Sequence, residues 1–212
     1  MAVTLALPAA AGEGESHPAP ATVIETMTRS TIEALPREGT AMAADPEHYY
    51  ALARNTLKPF FDLDRAGRVI LGPSWVGATA AERDAFQRAF EDYLVTSYAV
   101  ALRHVTATTL TVAGEPRPVG AAEVLMPVRL VLVDGETLEA ELRMRLGPSG
   151  WQIWDAGAGG LSVVKLYRGD IGTEAAVHGV ARVVDSLRSM AARNRARNTE
   201  EARERATTQT RR

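Results

Sequence analysis

The apolar residues of this chain change period at His104, and that switch limits the possible folds more than any other feature. Upstream, apolar side chains recur at steps of three and four, as in helices with one inward face. Downstream they alternate at steps of two, as in strands. After Gly160 the helical spacing returns. Helices, then strands joined by short turns, then helices predict an α+β domain, with helices on one face of a twisted antiparallel sheet. Glu139, Glu141, Arg143 and Arg145 share one parity and mark a wet face. The helices therefore belong against Leu138, Ala140, Leu142, Met144 and Leu146.

Within the first block, Thr79 and Glu82 have the Thr-x-x-Glu spacing of a capping box, in which each satisfies a backbone N–H of the other. A helix is predicted from Ala80 to Leu102. Its inner stripe is Phe86, Ala89, Phe90, Tyr93, Leu94, Ser97 and Ala101, with Arg88, Glu91 and Asp92 towards the opposite side. Such a stripe suits a solid core or the wall of a cavity, and spacing does not choose between them. Three helices are expected before it. One starts near Ala21 and stops at Pro36. Asp45-Pro46 caps a second, with Tyr49, Leu52, Ala53, Thr56 and Leu57 inward, and Pro59 ends or kinks it. Asp62 caps a short third.

About four strands are expected, at residues 106–112, 123–133, 137–146 and 151–156. The EPRP of 115–118 reads as a break, and Pro127 suggests an edge or a bulge. Asp134-Gly135 marks a hairpin turn. In the last block Val177, Val180, Ala181, Val184 and Leu187 form the expected stripe of a helix over 174–190. Residues 191–212 lose apolar content and read as a charged, flexible tail. At the other end, the apolar run 2–11 resembles the core and cleavage site of a secretory signal without its basic start, followed by a flexible lead-in to residue 20. One domain over 21–190 is expected, exported and monomeric.

With 46% hydrophobic and 24% charged residues the composition is that of a globular protein, and no apolar run reaches membrane-spanning length. A net charge of −2 lacks the basic footprint that nucleic acid requires. With no cysteine there is no disulfide, thiol nucleophile or thiolate metal site. Other chemistry is weakly supported. Gly160-Leu161-Ser162-Val163-Val164 lacks the last glycine of a nucleophile elbow, and Ser162 suits a helix N-cap. Gly157, Gly159 and Gly160 do not have dinucleotide-binding spacing. Asp62, Asp64 and Gly67 begin like a calcium loop, but Ala66 and Pro73 occupy ligand positions. His17, His48, His104 and His178 have no metal-ligand spacing, so neither metal nor cofactor is expected. Asp155 is the one candidate for a buried general base in a small pocket enzyme. A solvated carboxylate is the commoner fate for such a residue.

Leu71-Gly72, Trp75, Ala78-Thr79, Arg83, Phe86, Ala89-Phe90, Leu94, Tyr98 and Leu102 resemble the signature of the MlaC family, periplasmic phospholipid-binding proteins also called toluene-tolerance auxiliary components. Pro59-Phe60-Phe61-Asp62 and Arg65 upstream, and Gly160-Leu161-Ser162, Tyr167-Arg168, Gly179 and Leu187 downstream, extend the resemblance. Gly159 and Ile171 depart from it, where the family usually has glutamate and phenylalanine. The resemblance implies a carrier, not an enzyme, that holds acyl chains between helices and sheet. Its only ligand would be lipid cargo, and its partners an outer-membrane lipoprotein complex and an inner-membrane ABC transporter. Some members are associated with hopanoids, which makes a polycyclic lipid the alternative cargo. On this reading the lipid-binding residues are Ile70, Leu71, Trp75, Phe86, Phe90, Leu94, Tyr98, Val128, Leu130, Leu142, Met144, Trp154, Val163 and Tyr167.

Overall fold

The computed structural model describes residues 17–102, 110–131 and 135–210. The expected leader, His104, the first part of the 106–112 strand and Asp134 of the hairpin turn lie outside them. The expected inner positions Leu35 and Ala101 lie outside the described side chains.

Local signals place most of the helices. Asp45 accepts hydrogen bonds from the backbone N–H groups of Glu47 and His48 and starts α2 (Pro46–Leu57), which tightens into a 3-10 turn over Lys58–Phe60. Asp62 accepts from Arg65 N and starts α3 (Leu63–Leu71). After Gly72, at φ 54°, comes the short α4 (Pro73–Gly77). The capping box then closes as predicted: Thr79 N donates to Glu82 Oε2 at 2.8 Å and Glu82 N to Thr79 Oγ1 at 3.2 Å. From there α5 runs Ala80–Leu102. Those bonds from the Thr79 backbone and hydroxyl also hold the Glu82 carboxyl below its ordinary pKa.

One breaker is overridden. The first helix, α1 (Pro20–Ala44), continues through Pro36 instead of stopping there. It packs on α2 and on the last helix, α8 (Val180–Thr210), and those contacts outweigh the one backbone hydrogen bond that a proline removes.

The sheet has six strands rather than four: β1 (Leu110–Val112), β2 (Arg117–Gly120), β3 (Glu123–Val131), β4 (Thr137–Gly147), β5 (Gly150–Ala158) and β6 (Leu161–Ser162). All pairings are antiparallel in the order β1-β3-β4-β5-β6, with β2 also on β3. The two unforeseen strands are short, and β2 starts inside the EPRP break. Pro118 is tolerated because β2 lies at the sheet margin. Pro127 is within a central strand, at a gap. Its carbonyl accepts from Ala113 N at 2.9 Å, so its missing N–H faces the place where the chain loops out between β1 and β2. The wet face carries cross-strand ion pairs, Arg129 with Glu139 and Arg117 with Glu141.

The closing segment differs from its expected phase. It comprises α6 (Val163–Tyr167), a π turn (Arg168–Gly172), α7 (Thr173–His178) and α8. Gly179, at φ 82°, separates α7 from α8 and resets the helical phase. Val183 therefore joins Val180, Val184 and Leu187 inside, while Val177 and Ala181 are exposed. The packed chain also extends beyond Met190, where a flexible tail was expected: Ala191 and Asn198 are buried.

Three apolar clusters result. One is helical, built from α3 to α8 around Phe86, Ile70 and Leu187. A second lies between α1 and the sheet, where Ile24 and Met27 meet Val124, Met126, Val128, Leu142, Met144 and Ile153. The third is centred on Tyr49, Tyr50 and Ala53 of α2.

Candidate functional site

Where the three clusters meet they leave a cavity of about 400 Å³. Ala53, Arg54 and Leu57 of α2, Phe61, and Leu63 and Ala66 of α3 form one side. Phe90, Leu94, Val95 and Tyr98 of α5 form another, and Ile153 to Ala156 of β5 with Val163, Val164 and Tyr167 of α6 close the third. Space exists because Ala53, Ala66 and Ala156 stand between large neighbours. The lining reaches solvent at Lys58, Tyr98 and Val163.

Backbone irregularity aims β5 at the cavity. The β4–β5 register shifts beside Arg143, leaving Trp154 as an extra residue between Ile153 and Asp155. A strand normally turns alternate side chains to one side, whereas a bulge re-aims one of them, so four consecutive residues reach the lining. The 59–62 segment staples β5 to the helices: Asp62 N donates to Ile153 O at 2.8 Å and Gln152 Nε2 to Pro59 O at 3.0 Å. Trp154 lies between the Arg65 and Arg143 guanidinium groups, 5.1 and 5.9 Å from its ring.

At the rim the Tyr98 and Tyr167 hydroxyls are 3.1 Å apart and hydrogen-bonded. The Tyr167 ring meets Phe90 edge-on at 5.4 Å. Burial first, and then the bond to Tyr98, push the Tyr167 phenol well above the usual tyrosine range. Every charged group in the lining has a protein partner. Arg54 binds Glu91 and Asp92, and Lys58 binds Glu91. Asp62 caps α3. Behind them Arg195 of α8 binds Asp92 through both ends of its guanidinium, chiefly through hydrogen bonds that hold its proton more firmly than usual.

Asp155 is buried, at 6% exposure, rather than solvated. Its Oδ2 accepts from Ser162 Oγ at 2.7 Å and its Oδ1 from Val164 N at 3.0 Å. Ser162 Oγ in turn accepts from Lys165 N at 3.0 Å, so Ser162 is the N-cap of α6. Asp155, Ser162 and the first turn of α6 form one structural knot, in which each Asp155 oxygen accepts a hydrogen bond from the start of α6. Asp62 and Asp64 are likewise engaged: Asp64 binds Arg68 and Gln87. Among the described residues no group of acidic or histidine side chains could hold a metal ion.

Of the fourteen residues expected at the lipid, Phe90, Leu94, Tyr98, Trp154, Val163 and Tyr167 line the cavity. The other eight are elsewhere. Ile70, Leu71, Trp75 and Phe86 fill the helical cluster, where Gly67 lets the Phe86 and Trp75 rings lie against α3. Val128, Leu142 and Met144 face inward as their parity predicts, but Ile24 and Met27 of α1 occupy the space over them. Leu130 is half-buried on β3 opposite Leu110 and Leu138. The sequence reading missed the alanines and Leu57, Phe61, Val95 and Ile153. Its available signal was Ala53 and Leu57, one helical turn apart on the expected inner face of α2. Ile171, one of the two departures, is buried in the helical cluster and not in the lining.

The model of the family described as MlaC protein matches residues 25–189. The chain belongs to the MlaC family. A solved phospholipid-binding protein from Ralstonia solanacearum, in complex with a phospholipid, has the same fold: TM-score 0.73 at 19% identity, over 82% of this chain and 97% of that one. That likeness agrees with helices on one face of an open antiparallel sheet. The match to the MlaC family ends at residue 189, so the buried Ala191 and Asn198 lie beyond it. No described helix is long and apolar enough to cross a membrane.

Proposed function

We propose that this protein is a periplasmic lipid carrier that takes phospholipid acyl chains into the cavity and moves lipid between the outer membrane and an inner-membrane ABC transporter. The observation that carries the reading is an apolar cavity at the junction of three clusters, whose lining charges are all occupied by other protein groups. Such a site has nothing with which to grip a charged body, but it can shelter hydrocarbon. Each methylene leaving a bilayer forfeits about 0.8 kcal/mol, and an apolar wall returns it. The head stays in water at the Tyr98–Tyr167 mouth. Membership of the MlaC family and the phospholipid bound by the Ralstonia protein support the same cargo class.

The test is mass spectrometry of lipid extracted from the purified full-length protein, with lipid uptake from vesicles as a second readout. An acyl lipid in stoichiometric amount is expected, and a polycyclic lipid in its place would assign the cargo to the hopanoid class. Protein that contains no lipid and extracts none from vesicles would overturn the reading. Fractionation of the native host, with the protein released alongside periplasmic markers, checks the location.

A further inference from the structure

Apolar side chains stand exposed along the α6 edge of the cavity. Ser162 turns inward to Asp155, so in this extended backbone its neighbours Leu161 and Val163 turn outward together. Leu166 follows Val163 at i+3 on α6, beside Tyr167, and Tyr98 joins through its hydroxyl bond to Tyr167. Val163 and Tyr98 belong to the cavity lining. Leu161 and Leu166 do not, although they are 66% and 58% exposed. One apolar strip therefore runs from the lining onto the outer surface. Its charge is locally basic: in a chain of net charge −2, residues 161–170 carry Lys165 and Arg168 against Asp170 alone. Among the described residues no carboxylate pairs with Lys165. On the carrier reading, on which this rests, lipid crosses that edge, and every methylene exposed to water on the way disfavours the crossing about fourfold. A stable protein interface takes about 20 to 30 residues a side, far more than this strip supplies. Binding to a bilayer surface accumulates side chain by side chain instead, and tyrosine with basic neighbours suits the headgroup level. We infer that the α6 edge is a docking surface for an anionic bilayer. Leu161, Val163 and Leu166 enter among the acyl chains, Lys165 meets lipid phosphate, and the tyrosine pair sits between.

The test is flotation of the full-length protein with vesicles of phosphatidylglycerol and phosphatidylethanolamine, and with neutral phosphatidylcholine vesicles. Partition onto the anionic vesicles is expected. It should fall at least about tenfold when Leu161→Ser and Leu166→Ser are combined, the worth of about two buried methylenes. Lys165→Gln should weaken binding about fivefold on the anionic vesicles and leave the neutral ones unaffected. That single variant keeps the test open if the double one does not fold. Both leucines lie outside the lining, so the double variant should retain its co-purified lipid. Binding that none of these substitutions changes, or lipid-bearing protein that does not float with anionic vesicles, overturns the docking surface and leaves the carrier reading intact. A dimer seen in sedimentation without vesicles and lost in the leucine variant gives the strip to a second copy and overturns it too. Protein that holds no lipid and takes up none removes both.

Discussion

The role assigned to Asp155 is open to a direct test by Asp155→Ala. The carboxylate accepts two hydrogen bonds, from Ser162 Oγ at 2.7 Å and from Val164 N at 3.0 Å, and both donors belong to the start of α6. Val164 is buried, so its N–H loses its partner where water does not replace it, at a cost of about 1–3 kcal/mol. The charge-assisted bond from Ser162 adds about 1.5–3 kcal/mol. Arg143, 3.5 Å away and partly exposed, turns to solvent and contributes little. The sum is about 2.5–6 kcal/mol, which in a domain of this size lowers Tm by roughly 5–24 °C. Asp155→Asn retains an oxygen for Val164 N and should cost about half as much. Urea denaturation and calorimetry of the parent and both variants measure these differences. If Asp155→Ala melts within about 2 °C of the parent, or if Asn proves as damaging as Ala, the structural knot is refuted.

Two further perturbations probe the rim and the last helix. The Tyr167 phenol keeps its proton in the folded state at pH values where the unfolded chain has released it, so raising the pH above about 10 favours unfolding. Stability should be flat below that pH and fall above it, and Tyr167→Phe should flatten the fall when both proteins are melted across the alkaline range. Ending the chain at Met190 removes the buried Ala191, the Arg195–Asp92 pair and the Asn198 bonds to Tyr50 Oη and Thr96 O. A loss of at least about 3 kcal/mol is expected in chemical denaturation. Ending it at Glu200 leaves those groups in place and should cost much less, and equal stability of the two truncations would contradict the packing of α8.

What the sequence determined by itself was local and periodic. Asp45, Asp62, the Thr79–Glu82 box and Ser162 start helices because each capping bond spans two or three residues, which spacing alone reveals. Alternation along β4 told the wet face from the buried one, and the order of the blocks gave the α+β class. The long stripe of α5 was legible as a face, and Phe90, Leu94 and Tyr98 on it do line the cavity. Only tertiary structure decided the rest. Phe86 has the same period as Phe90, but it lies one turn closer to the point where Gly67 and Trp75 close the core, so it is filled in while Phe90 borders space. Val128 and Met144 have the parity of a cavity wall but lie under α1, whose course through Pro36 is set by packing on α2 and α8. The cavity itself is an absence of atoms where three clusters meet across long sequence distances. No local pattern encodes it, because its size depends on the small side chains of Ala53, Ala66 and Ala156 coming together from three separate elements.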